Sequence, residues 1–327
     1  MPASELVKVL SIDGGGIRGI IPALVLAEIE LKAERPACEL FDLIAGTSAG
    51  GIVALGVTVP GQDGKPLHSA EELADFFVTD GPKIFSRSLL RTIETVDGLL
   101  EEKYSASGLE AALKDNLGDA PLSEALSDVL ITSYDIQGHE PFFFKSLQAR
   151  EGLARNYPMR VVARATSAAP TYFEPEHVIP PVVLPGEPSD YALVDGGTFA
   201  NNPALCAYAE AMRDHPGTDI LVVSLGTGRL TESIPFSKAG HWGLVEWARP
   251  LLGVIMDGSS AAIDYQLDQL LGRDVRHFRF QAVLEGVSDS LDEASNANIE
   301  GLRGLAEKLI KESAAQIAAV CELLTSS

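Results

Sequence analysis

The chain has 327 residues, 46% of them hydrophobic, and a formal charge of −21. That length supports one large core or two ordinary ones, while the charge excludes a surface built for nucleic acid, which binds through cationic contacts to phosphate, and weakens attraction to anionic membranes. Three scattered cysteines, Cys38, Cys206 and Cys321, make neither a disulfide framework nor a metal cluster, and no apolar run reaches the roughly 18–20 residues of a membrane span.

The opening "MPASELVKVL" lacks a basic start, a long apolar segment and a cleavage site, so no secretory signal and a reducing, cytoplasmic setting are expected. Val7–Ile12 predicts a buried strand and Ile20–Leu31 a helix; Phe41–Ala45 and Ser48–Val57 repeat the pattern. Short apolar strands joined by helices predict an α/β fold with a parallel sheet and right-handed crossovers. The turn-rich "PGQDGKP" follows, then a mixed helical stretch over Ala70–Leu126. Val129–Tyr134 and Phe142–Lys145 predict a hairpin around "DIQGHEP", and Met159–Ala168 a helix. The proline-rich "EPEHVIPPVVLPGEPSD" excludes a regular helix and a central strand, leaving a loop or sheet edge. Tyr191–Val194 predicts a strand, Asn202–Pro203 a capped helix start, and Ile220–Leu225 another buried strand. Trp242–Met256 and Ser259–Leu271 predict two helices, Arg276–Gln281 a short strand, and Asn298–Leu324 one long terminal helix. In "GRDVRHFRF", Arg276 and Arg279 are an odd step apart and face opposite ways on a strand, which favours a structural role over a binding patch. No repeat or compositional break divides the chain, so residues 1–327 are expected to form a single domain.

Chemistry concentrates where strands are expected to end. "GTSAG" (Gly46–Gly50) places Ser48 between a strand and a helix, the setting of a nucleophile elbow, in which small neighbours let backbones cross and expose the hydroxyl. The alternative is a serine that merely caps the helix. "DGGTFANNP" puts Asp195 at the end of a strand, before two glycines and a helix start; if that strand is parallel to the others, Asp195 shares the rim with Ser48. Its alternative is a plain Asp-Gly turn. "DGGGIRG" (Asp13–Gly19) satisfies Gly-x-Gly-x-x-Gly and is a candidate dinucleotide loop. That use needs an acidic residue at the end of the second strand to hold the ribose, whereas Asp42 stands near its start and Ser48 occupies its end. The glycines still present free N–H groups at a helix start, which suit any anion, including the oxyanion of an attacked ester. Arg18 either braces this loop or pairs with a carboxylate at the surface.

The three motifs together, "DGGGIRG", "GTSAG" and "DGG" (Asp195–Gly197), resemble in order and spacing the signatures of patatin-like phospholipases. "ATSAAPTYFEP", "LVVSLGTG" and "SDSLDEASNANIEGL" are also similar to segments of that family, so the likeness spans nearly the whole chain. The resemblance implies a three-layer α/β/α sandwich with a mostly parallel central sheet, its signature region over roughly residues 5–210 and a C-terminal helical part, 240–325, packed on it. It implies a lipid acyl hydrolase with Ser48 as nucleophile and Asp195 as base. Gly14, Gly15 and Gly16 would form the oxyanion hole, supported by Arg18. It implies a lipid ester as substrate and no metal or other cofactor. A Ser-Asp-His triad competes, and would need His215, His241 or His277; each stands in a setting that reads as structural. A nucleotide enzyme and a non-catalytic lipid-binding protein of the same fold compete as well. Apolar candidates for an acyl pocket are Phe142–Phe144, Leu89–Leu90, Leu99–Leu100 and the helix from Trp242, whose Trp247 and Leu251 would suit a mouth facing lipid.

Overall fold

In the computed structural model, which describes residues 6–86, 104–230 and 234–326, the first apolar run forms β1 (Leu6–Ile12). A tight turn at Gly16–Gly19 leads into α1 (Ile20–Ala33), then β2 (Leu43–Gly46) and α2 (Ala49–Gly56). Two further helices, α3 (Ala70–Ile84) and α4 (Ser107–Leu117), precede the hairpin β3 (Asp128–Asp135) and β4 (Glu140–Lys145). After α5 (Met159–Thr166) come β5 (Glu176–Val178) and β6 (Tyr191–Asp195). The chain closes through α6 (Ala204–Asp214), β7 (Asp219–Leu225), α7 (Leu244–Leu271), β8 (His277–Phe280), α8 (Asn296–Glu312) and α9 (Ala314–Thr325). The predicted pocket residues Leu89–Leu90 and Leu99–Leu100 lie outside the described residues.

Strand order across the sheet is β5-β6-β3-β2-β1-β7-β8, with β4 also paired to β3. The run β3-β2-β1-β7-β8 is parallel throughout. Because side chains alternate faces along a strand, an unbroken apolar run needs cover on both sides. Val7 and Val9 of β1 join a cluster with Ile220, Val222, Ala207 of α6 and Leu267 of α7. Leu10 and Ile12 of the same strand point the other way, into a cluster with Leu26 of α1, Ile299 of α8 and Ile317 of α9. These two clusters, one on each face, make the chain a three-layer α/β/α sandwich. Lys8 ties the ends together: its Nζ donates to the Leu324 carbonyl at 2.7 Å, a cation at a helix C-terminus.

Three expectations change. The segments Trp242–Met256 and Ser259–Leu271 merge into one helix, α7, from Leu244: at the expected break buried Ser260 is held from outside by Asn201 and does not cap a new helix. The single terminal helix instead breaks at Ser313, so that α8 and α9 can each pack against α1. β6 is not parallel: it runs antiparallel to both β3 and β5, and the sheet edge beside it is β5, which the proline-rich segment itself supplies.

Ile317→Ala, which empties a fully buried site in α9, is expected to lower stability by about 2–5 kcal/mol. Urea unfolding should show one shifted transition. A separate early transition for the C-terminal helices would contradict a shared core.

Candidate active site

Ser48 sits between β2 and α2 with φ 53° and ψ −124°, a left-handed conformation unusual for any residue but glycine. Such a backbone costs about 1–3 kcal/mol and persists only where its surroundings enforce it. Here the flanking glycines do so. A Cβ on Gly46 would lie closer than 3.0 Å to the Gly50 carbonyl, and one on Gly50 closer than 3.0 Å to the Ile12 and Asp13 carbonyl oxygens. The turn is pinned from both sides: Ser48 N–H donates to Thr166 Oγ1 at 2.8 Å, and Thr47 Oγ1 donates to the Ala200 carbonyl at 2.7 Å. The Ser48 side chain makes no capping bond to α2, so a helix-capping role does not describe it.

Asp195 reaches Ser48 by a route other than the expected one. Along one edge of β3, residues Asp128–Ile131 pair with parallel β2 and Ser133–Asp135 with antiparallel β6. The opposite edge is taken by β4. Thus β2 and β6 approach end to end: Gly46 lies opposite Ile131 and Asp195 opposite Ser133. The residues in the gap are Thr47 and Ser48. The Asp195 carboxylate is near enough to the Ser48 hydroxyl to be stabilised by it, and its Oδ1 accepts the Gly197 N–H at 2.7 Å. Burial raises the Asp195 pKa to about 6, against the lowering effect of those two neighbours.

The glycine loop follows β1. The Gly14 N–H donates to the Asn201 carbonyl at 3.0 Å. Among the described residues, the N–H groups of Gly15 and Gly16 have no acceptor, and both residues line a cavity with Ser48 and Asp195. Neither tolerates a side chain. A Cβ on Gly15 would collide with Thr227, and Gly16 has φ 56° with the Leu291 carbonyl against it. Arg18 is buried rather than at the surface, and its Nε donates to the Gly15 carbonyl at 3.3 Å. Burial lowers its pKa, partly offset by the carboxylates of Asp289 and Asp257.

Two supports of this loop were not legible as such. Arg279 reaches from β8 to grip Asp13 with both terminal nitrogens, at 2.9 and 2.6 Å, while Arg276 pairs with Asp219. Burial works against the Arg279 charge, but the Asp13 carboxylate overcomes it and holds the guanidinium pKa above its ordinary value. Thr227 of "GTG" donates to the Gly14 carbonyl at 2.6 Å. The signal for Arg279 was an acidic residue directly at the end of a buried strand, which needs a cation for company.

The cavity wall is apolar: Phe76, Phe77, Ile84, Phe85, Phe173 and Met256 face it. Of the predicted pocket segments, Met256 of α7 contributes, whereas Phe142 and Phe144 stack on Tyr191 and Tyr157 in the core. No histidine is among its described lining residues. His215 and His241 are exposed, and His277 is buried with Nδ1 2.8 Å from Asp268. Asp42, the residue a ribose would need, instead accepts the Lys8 N–H at 2.7 Å, before β2 begins.

The sequence profile described as patatin-like phospholipase matches residues 10–208. "Patatin-like protein 2" of Arabidopsis thaliana is 33% identical over 346 residues, covering 96% of this chain and 85% of that protein. The Solanum tuberosum protein named "Probable inactive patatin-3-Kuras 1" is 32% identical over 338 residues, covering 95% of this chain and 88% of its own length. A structure of human GIVD cytosolic phospholipase A2 with methyl gamma-linolenyl fluorophosphonate and terbium chloride aligns with a TM-score of 0.48 at 15% identity, over 97% of this chain and 59% of that one.

Raised from 3.8 to about 6, the Asp195 pKa makes the native state favour the protonated acid. The resulting term is fully stabilising below pH 3.8 and is lost as pH rises through 6, a difference of about 3 kcal/mol. Asp195→Asn, which cannot ionise, is therefore expected to raise the urea midpoint at pH 8 and to leave it unchanged at low pH. An equal effect at both pH values would refute the linkage.

Proposed function

The chain belongs to the patatin-like phospholipase family, and from that membership we propose that it hydrolyses fatty acyl esters of lipids through Ser48 and Asp195. The observation that carries the reading is a serine on a left-handed turn and a buried carboxylate lining the same apolar cavity, with the Ser48 hydroxyl stabilising the Asp195 carboxylate. A carboxylate with a pKa of about 6 is ionised at neutral pH yet basic enough to draw the serine proton. Ser48 Oγ attacks the acyl carbon as its proton passes to Asp195. Charge collects on the former carbonyl oxygen, which accepts hydrogen bonds from the N–H groups of Gly15 and Gly16. Each such donor is typically worth about 2.7–4 kcal/mol.

Collapse of the tetrahedral intermediate breaks the ester C–O bond, and Asp195 returns its proton to the departing alcohol. The acyl group stays on Ser48 in the cavity. Water then attacks with its proton going to Asp195, and the free acid leaves as Ser48 recovers its hydrogen. Arg18 acts through the loop: its bond to the Gly15 carbonyl fixes the peptide that presents the Gly16 N–H. The mechanism needs no cofactor. No helix among the described residues is long and apolar enough to cross a membrane.

Ser48→Ala is expected to lower kcat/KM on an acyl ester by at least about a thousandfold and to abolish labelling by a fluorophosphonate. Labelling that persists in this variant would move the nucleophile elsewhere. In the native protein, kcat/KM should rise with pH through about 6, as Asp195 loses its proton, and then level off. Full activity in Asp195→Asn would exclude it as the base.

A further inference from the structure

We propose that the exposed apolar face of α7 is the surface on which the protein docks to a neutral, zwitterionic lipid surface, an inference that rests on the acyl ester reading above. The helix is anchored along one side and bare along another. Met256, only 9% exposed, lines the cavity that holds Ser48 and Asp195, while Ser260 and Leu267 on the same side are buried against the body of the fold. On the other side Leu251 is 47% exposed, Val254 and Ile255 each 45%, and Tyr265 66%. With exposed Gly258 and Ala262 these recur at helical spacing and make one face several turns long. From Pro250 to Ile263 the sequence holds a single charged residue, Asp257. Its carboxylate lies in the fields of Arg18 and Arg229. Scattered exposed hydrophobics are ordinary, but a contiguous face of this kind marks an interaction surface.

Continuity with the cavity identifies the occupant. Ile255 faces solvent and Met256, the next residue, lines the cavity, so whatever covers the face lies against the same turn of helix that walls the cavity. A second copy there would bring together two chains of charge −21. A lipid surface would instead bring the ester to it. The same charge disfavours anionic headgroups, which leaves apolar burial as the driving force and neutral headgroups as the partner. The helix cannot span a bilayer, so it would lie in the interface with its bare side down.

The test uses the full chain, the triple variant Leu251→Glu/Val254→Glu/Ile255→Glu, and Ser48→Ala. Each is measured for co-sedimentation with phosphatidylcholine vesicles, and the first two also for turnover of a short, fully soluble ester. The native chain should bind the vesicles at low and at high salt alike. The triple variant should lose vesicle binding by about tenfold or more while keeping soluble-ester turnover within about twofold, which also shows that it folds. Ser48→Ala should bind like the native chain, so binding is read independently of hydrolysis. If the native chain binds vesicles but cleaves no ester, the hydrolase reading fails and docking stands, with circular dichroism then reporting the fold of the triple variant. The proposal is overturned if the native chain stays in the supernatant, if the folded triple variant binds as well as native, or if the variant only converts a dimer to a monomer with vesicle binding unchanged.

Discussion

The site depends on one edge of β3 being shared by two strands that run toward each other. β2 arrives from below in parallel and β6 from above in antiparallel, and each stops just short of the other. Neither strand alone makes a site. Their ends make a gap only a few residues long, with Ser48 in it and Asp195 at its border. β4, on the far edge of β3, leaves β6 no other place along those residues. A serine and a carboxylate nearly 150 residues apart in sequence are thus brought together by backbone pairing, before any side-chain preference acts.

Several costly features meet in that gap. Ser48 holds a left-handed backbone, Asp195 is a carboxylate removed from water, and two amides of the neighbouring glycine loop lack acceptors among the described residues. Each would relax if its surroundings allowed it. The surroundings are built from the sheet itself: Gly50 packs on the β1 carbonyls, Thr166 holds the Ser48 amide, and Arg279 fixes Asp13 from two strands away. A buried ion pair of this kind adds little net stability, because desolvation offsets most of the attraction. It does add definition, since Asp13 without Arg279 would be an uncompensated buried charge at the root of the loop.

Much of this is legible from the chain alone, and the limits are physical. The parallel strands announce themselves as unbroken apolar runs, and the Gly-x-Ser-x-Gly spacing records a crossing of backbones that admits no Cβ. The α/β fold and the family both follow from such patterns and stand. The direction of β6 does not, because a short strand reads the same whichever way it runs; Asp195 stands beside Ser48 although the premise of a parallel strand fails. Helix breaks mislead for a related reason. Gly258–Ser260 looks like an ending, but Ser260 is held from outside by Asn201, while nothing in "KESAAQ" warns that Ser313 divides two helices. Arg279 reads as structural, and what its structural role holds is the root of the glycine loop. Phe76 and Phe77 escape a reading of the sequence because aromatic residues on an amphipathic helix look the same whether they face a core or a cavity.

The bond from the Gly14 amide to the Asn201 carbonyl has a wider consequence. Asn201 belongs to the segment that begins at Asp195, so the loop carrying the free amides and the loop carrying the carboxylate are stitched into one body. Substitutions that shift either will shift both. Variation in this chain can therefore displace the whole constellation readily, but it has little means of moving the carboxylate and the free amides separately. Diversity is easier to acquire at the apolar cavity wall and along the exposed face of α7, away from the Ser260 that Asn201 holds.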